Sequence, residues 1–288
     1  MTARVLIFGA GGQLGRALAR RLPHARALTR AEADLADPVA CARIVRMSGA
    51  DLVINAAAFT DVDGAEASPD LAYTVNAQAP AAIAGAAAGA GIPLVHVSTD
   101  FVFDGSGTRP WKPGDRPRPL GIYGLSKRAG EQAILLSGAR AVTIRTSWVF
   151  SGEGGDFPSA ILRAARMRTE LAVVDDQIGG PTHADDLADA CIRAGEALVA
   201  GRSLPALLHF AGQPDVSRAD FARTILDMAG SATIIRPVAT HEMPRPARRP
   251  LNSRLDCRDA ERALGLDRPD WRTALKATLA RVDGEEAA

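Results

Sequence analysis

The sequence predicts an α/β fold, a doubly wound parallel sheet with a smaller C-terminal lobe, and three observations carry that prediction. Short strand-forming runs alternate with helical stretches through the first 150 residues. The runs are apolar at nearly every position, as strands covered by helices on both faces must be. A glycine-rich turn follows directly on the first run. At a typical ~150 residues per unit, the 288 residues suit about two units. We read them as 1–150 for the sheet and 151–288 for a lobe interleaved with the sheet around 171–200.

Taken in order, the candidate strands are Val5–Phe8, Arg26–Leu28, Leu52–Asn55, Leu94–Val97 and Val142–Arg145. Between them, helical patterns cover Leu14–Arg21, Pro38–Met47, Pro69–Gly89 and Tyr123–Leu136. Beyond Phe150 the alternation loosens. A glycine-rich loop at 152–155 precedes a helix at Pro158–Arg168 and a strand at Leu171–Val174. Helices follow at Asp185–Val199 and Arg218–Ala229, and Arg245–Pro250 reads as an ordered loop or an arm.

Composition narrows the function classes. Thirty-four basic and 33 acidic residues give a net charge of +1, which offers no excess charge for a nucleic acid or an anionic membrane. The uncharged stretch Ala77–Val97 is interrupted by Pro80, Pro93 and glycines, so it reads as a helix followed by a buried strand rather than a span. No signal peptide is visible, because the first apolar run stops at glycines. Cys41, Cys191 and Cys257 are scattered and odd in number, which fits neither a disulfide framework nor a zinc site and points to a reducing, cytoplasmic compartment. The five histidines show no ligand spacing, and adjacent Asp175 and Asp176 would point apart on a strand, so no metal is expected.

Gly9, Gly12 and Gly15 form G-x-x-G-x-x-G between the first strand and the first helix. A tight turn, a close backbone approach and a helix N-terminus are what a pyrophosphate needs, so the motif predicts dinucleotide binding in a Rossmann-like sheet. Ala56, Ala57 and Ala58 after the third strand would either leave the cofactor groove open or simply cap a helix. Tyr123 and Lys127 are spaced Y-x-x-x-K, on one face of a helix. An ammonium beside a phenol would favour phenolate and make the tyrosine usable in proton transfer near neutrality. Ser98-Thr99-Asp100 follows the fourth strand; taken alone it fits a helix cap or turn, but beside the other two motifs Thr99 becomes a hydroxyl able to hold a substrate oxygen.

These motifs, in this order, resemble the extended short-chain dehydrogenases and reductases. Within that superfamily the chain is most similar to the dTDP-4-dehydrorhamnose reductase family. The segments that carry this are Gly12–Gly15, Ser98–Gly105, Arg145–Phe150, Asp176–Thr182 and Ala247–Ser253. The resemblance implies NADPH-dependent reduction, with NADH tolerated, of the C4 keto group of dTDP-4-dehydro-β-L-rhamnose to give dTDP-L-rhamnose, a donor for lipopolysaccharide and O-antigen. It implies Tyr123 as proton donor, with Lys127 and Thr99 completing the catalytic set. Besides the three glycines, Gln13, Leu14, Arg30, Asp34, Leu35, Ala56, Ala57, Ala58 and Thr60 would meet the cofactor, as would Tyr123 and Lys127.

Carried over in the same way, Thr99, Asp100, Trp148, Arg249 and Asn252 would meet the sugar nucleotide. By pattern alone Trp148 reads as core and the arginine run as a solvated loop. Ala17 stands where some members carry a glutamate that helps a magnesium ion join two subunits, so no metal is carried over; a monomer or weak homodimer is expected. Two rival readings come from the same fold. One is a nucleotide-sugar 4,6-dehydratase or 4-epimerase; dehydratases carry an acidic pair after the threonine, which Asp100-Phe101 leaves incomplete. The regulatory subunit of methionine adenosyltransferase binds without catalysing, and an intact Thr99, Tyr123 and Lys127 argues against it.

The end of the second strand bears on the coenzyme. An acid there selects NAD by bonding the ribose hydroxyls, whereas an arginine accommodates the 2′-phosphate of NADP. Here Thr29-Arg30 stands at that point, with Glu32 two residues on, which predicts NADPH over NADH.

Overall fold

A computed structural model describes residues 3–286; residues 1–2 and 287–288, the extreme ends of the two expected units, lie outside the described residues. Through the first half the order is β1 (Val5–Phe8), α1 (Gln13–Arg21), β2 (Arg26–Leu28), α2 (Pro38–Met47), β3 (Leu52–Asn55), α3 (Val62–Ala67), α4 (Pro69–Tyr73), α5 (Ala79–Ala90), β4 (Leu94–Thr99), α6 (Ile122–Leu136) and β5 (Ala141–Thr146). It continues with β6 (Val149–Phe150), α7 (Phe157–Ala165), β7 (Glu170–Val174), β8 (Ile178–Gly179), β9 (Thr182–His183), α8 (Ala184–Val199), β10 (Leu207–His209) and β11 (Val216–Ser217). The last elements are α9 (Arg218–Met228), β12 (Ile234–Val238), β13 (Asn252–Ser253), α10 (Arg258–Leu264) and α11 (Trp271–Glu286).

Six strands form one parallel sheet in the order β10-β5-β4-β3-β1-β2. The apolar runs seen in the sequence are explained by its two covered faces. Val5, Ile7 and Ile54 pack under α1 and α8 with Leu14, Leu18 and Leu187, whereas Leu6, Phe8 and Val53 pack under α2 and α5 with Val45 and Ile83. Successive residues of one strand therefore serve two different cores. A third cluster around Phe221 and Trp271 holds the C-terminal lobe, where β7 pairs in parallel with β12 away from the large sheet.

The five expected strands are all present in the large sheet, and β10 adds a sixth at its edge beside β5. Only Leu207, Leu208 and His209 pair there, after Pro205, a run too short to show a period. With α8 packed on the sheet as well, residues 184–209 lie with the sheet although they follow the start of the lobe. The helix expected over Pro69–Gly89 is broken into α4, a π-turn at Thr74–Gln78 and α5. Pro80 has no N–H to give Asn76, and the ladder shifts so that Ala79 donates to Thr74 instead. Among the described residues no helix is long and apolar enough to cross a membrane, and all three cysteines are free and buried.

Candidate active site

The carboxyl ends of β1 to β5 open onto one groove of about 860 Å³. Open parallel sheets bind ligands at this edge. At its first end Gly9 takes φ +91° and turns the chain from β1 toward α1. Gly15 lies one turn into α1, where a Cβ would come 1.9 Å from the Gly9 carbonyl oxygen, so the helix reaches the strand only without a side chain there. No side chain caps α1 and no acid stands in its first turn, which leaves its N–H groups and dipole to an anion in the groove. The Gln13 Oε1 atom is buried there without a partner. The open backbone N–H groups of this cradle fit a dinucleotide pyrophosphate.

Gly12, Gln13 and Leu14 line this end, as do Ala56, Ala57, Ala58 and Thr60 opposite them. Asn55, buried at the end of β3, fixes the alanine turn by accepting from the Ala57 N–H at 3.1 Å. Arg30, Asp34 and Leu35 close the far side. Arg30 is 78% exposed and only loosely paired, 3.4 Å from Asp34, so its guanidinium is available to a ligand. Glu32 is not: its carboxylate accepts from the Thr29 N–H and hydroxyl at 2.9 and 2.8 Å, bonds that hold it below its usual titration range.

Thr99 ends β4 and caps the short turn Asp100–Val102, with its Oγ1 accepting from the Phe101 N–H at 3.2 Å and donating to Asp100 Oδ1 at 3.0 Å. Tyr123 and Lys127 reach the same part of the groove from the first turns of α6. Gly124 between them permits this, because a Cβ there would come 2.2 Å from the Phe101 carbonyl oxygen. The Phe101 and Tyr123 rings meet edge to face at 5.4 Å.

The electrostatics differ from the simple lysine–phenol pair expected above. Lys127 Nζ donates to the Val97 carbonyl at 2.7 Å and lies 3.4 Å from His96 Nε2, and its burial pulls it down to about 8. Tyr123 is pushed up to about 12 by burial, with hydrogen bonding to Thr99 opposing and the Asp100 charge adding to the shift. Desolvation outweighs any help from the ammonium. The phenol thus stays protonated through neutrality, the form that can give a proton.

Beneath Lys127 lies a buried polar layer. His96 is held well below its usual pKa by burial and by the Lys127 charge, and its Nδ1 lies 3.2 Å from the Asn55 amide nitrogen. Glu131, one turn after Lys127, accepts two bonds of 2.7 Å from Arg145 on β5. The pair is 3% and 1% exposed and ties α6 to the sheet.

The other end of the groove takes residues from the lobe. Trp148, just after β5, adopts φ +49°, a left-handed conformation costly for a bulky side chain. Its indole packs against Gly179 and carries the guanidinium of Arg218, whose carbon lies 3.7 Å from the ring centroid. Arg249 reaches in from the expected arm, held by Asp63 at 2.9 Å, while its Nη1 is buried without a partner. Asp100 lies in the same region with Oδ2 unpartnered, and burial pushes it up to about 6.

The structure therefore brings almost every expected site residue to one groove. Gly15 shapes the turn from behind, and Asn252 is not brought to it. The Asn252 amide donates to the Arg109 carbonyl at 2.8 Å and accepts from the Arg254 side chain at 3.1 Å, so both ends of the side chain serve the chain itself. Sequence reasoning missed Arg218 and Phe157, both on the groove wall. The available signal was Ser217-Arg218-Ala219-Asp220, a helix start with a cation at the end of the helix that disfavours one.

The RmlD substrate binding domain model matches residues 3–283. The chain is 43% identical to the dTDP-4-dehydrorhamnose reductase of Mycobacterium tuberculosis, over 96% of this chain and 92% of that protein. It is 37% identical to the reductase of the same name from Escherichia coli K12, over 96% of each. Among solved structures, a dTDP-4-dehydrorhamnose reductase from Clostridium acetobutylicum superposes with a TM-score of 0.91 at 31% identity, over 97% of this chain and 99% of that one. One from Bacillus anthracis, in complex with NADP, does so with a TM-score of 0.89 at 33% identity, over 98% and 100%.

Proposed function

The chain belongs to the dTDP-4-dehydrorhamnose reductase family, and from that premise we propose that it reduces the C4 keto group of dTDP-4-dehydro-β-L-rhamnose with NADPH to give dTDP-L-rhamnose. The observation that carries the reading is the convergence of Thr99, Tyr123 and Lys127 on one groove whose other end is an open pyrophosphate cradle. Bound there, the nicotinamide supplies the hydride.

Each protein group then has one task. The neutral Tyr123 phenol gives its proton to the C4 oxygen as negative charge develops on it. Thr99 holds the same oxygen by turning its one hydroxyl proton from Asp100 Oδ1 to the substrate. Lys127 keeps a donor beyond the one spent on Val97, and directs it to the cofactor ribose. Arg30 in place of an acid supports NADPH, since its exposed, loosely paired guanidinium suits a 2′-phosphate. Arg249 and Asp100 would meet the diphosphate and the sugar, respectively. Three free, buried cysteines suit the reducing cytoplasm, where soluble nucleotide sugars are made.

Purified protein mixed with the keto sugar nucleotide and NADPH should consume the coenzyme, followed by its absorbance. Consumption with a UDP-sugar and none with this substrate would refute the assignment. Tyr123→Phe should lower kcat at least ~10²-fold with NADPH affinity largely intact. A variant nearly as active as the parent would remove Tyr123 from the mechanism.

A further inference from the structure

Arg218 lines the groove, and the reading above gives it no task. Its position breaks several local rules at once. It opens α9, where the positive end of the helix dipole disfavours a cation. It is partly buried, and desolvation, opposed by the Asp100 charge and joined by the like charge of Arg249, lowers it to about 10. Its guanidinium donates no hydrogen bond to any described residue. Costs of this kind persist at sites that do something else.

Stacking is what holds the group. The guanidinium carbon lies 3.7 Å from the Trp148 ring centroid and 5.0 Å from that of Phe157. Trp148 is itself fixed in the left-handed region and backed by Gly179, where an added Cβ would come 2.9 Å from the indole. That ring face is therefore not open to a sugar; the stack offers the groove a guanidinium instead. A guanidinium stacked on its flat face keeps its N–H donors free at the edge, in the fork that matches phosphate oxygens. Asp100 lies within electrostatic reach but forms no ion pair with it among the described residues, and the one carboxylate that pairs with Arg249 is Asp63. Two cations thus face the groove, one paired with Asp63 and the other near an Asp100 carboxyl with which it forms no ion pair.

We propose that Arg218, stacked on Trp148, binds the diphosphate of the sugar nucleotide together with Arg249. The inference rests on the functional reading above and deepens it by naming the residue that anchors the substrate at the lobe end. The cofactor diphosphate is provided for separately at the start of α1.

The test is titration calorimetry of the full chain with dTDP, with UDP and with NADPH. Arg218→Met keeps an apolar stem over Trp148 and removes the charge. It should weaken dTDP and UDP binding ~10- to 150-fold, the loss of one charge-assisted contact, and leave NADPH within twofold. Arg218→Lys, which keeps the charge without the fork, should lose less. Arg218→Gln removes the same charge should the methionine variant fail to fold. The proposal is overturned if charge-free variants bind dTDP within threefold of the parent, or lose NADPH affinity as much as dTDP affinity. It is also overturned if the parent binds neither nucleoside diphosphate. Parent protein that binds dTDP but consumes no NADPH with the keto sugar fails the functional reading alone, and the Arg218 contact is still decided by the titrations.

Discussion

Replacing Asp100 with asparagine should make the protein more stable while impairing its activity. The carboxyl group is 2% exposed, one of its oxygens has no partner, and burial raises it from 3.8 to about 6 despite bonds from Thr99 and Ser253 and the nearby Arg218. The unfolded chain gives this group an ordinary value, so between about pH 4 and 6 the folded state binds more protons than the unfolded one. Stability therefore falls as pH rises through that window. Above it the folded protein carries the full cost of a buried charge, which for a shift of about two units is ~3 kcal/mol.

Asparagine has a similar shape and no charge to desolvate. Asp100→Asn should gain up to ~3 kcal/mol at pH 7.5, about 5–10 °C in Tm for a chain of this size, and almost nothing at pH 4. Urea unfolding of parent and variant without ligands, at half-unit steps from pH 4 to 8, reads this difference directly. A variant less stable than the parent at pH 7.5, or a difference that does not change with pH, would refute the reasoning. Activity should fall in the same variant, since the cost is retained at the residue proposed to meet the sugar.

Two further outcomes follow from the same geometry. Arg30→Ala should cost ~10- to 150-fold in NADPH affinity with NADH little changed, because a loosely paired guanidinium there can bond only the extra phosphate; fluorescence titration with both coenzymes measures it, and equal losses would show that Arg30 does not read the phosphate. Arg145→Met should cost ~3 kcal/mol in urea unfolding by leaving buried Glu131 with only the partly exposed Arg128 to offset its charge, while Arg145→Met with Glu131→Gln should recover much of it; a double variant as unstable as the single one would show that the cost is lost packing rather than an under-compensated charge.

The parts legible in the sequence were those governed by local rules. Largely apolar strands, the glycine turn and Y-x-x-x-K each depend on near neighbours in the chain, and each appears where its pattern placed it. What was not legible depends on contacts across the fold. β10 pairs only because β5 offers it an edge, and the π-turn before Pro80 reflects one missing N–H inside an otherwise good helical pattern. Tyr123 was expected to be drawn toward phenolate by Lys127, but the ammonium is directed to Val97 and His96 from the sheet below, and desolvation of the phenol prevails.

The lobe end of the groove shows the same division with a functional consequence. Trp148, Asp100 and Arg249 were visible as residue types in motifs, but their states come from Arg218, Gly179 and Asp63, which lie far from them in sequence. A strained backbone at Trp148, an acid raised by burial and a cation at a helix N-terminus each cost stability. They occur together because a site for a diphosphate and a keto sugar needs unpaired polar groups held ready, and folding alone would have paired or removed them. The turn at Gly9 shows the cheaper solution, in which backbone N–H groups supply the donors and no side-chain charge is buried. On the proposed function the groove would meet its two diphosphates by different means, one written in a short motif and the other assembled from distant parts of the chain.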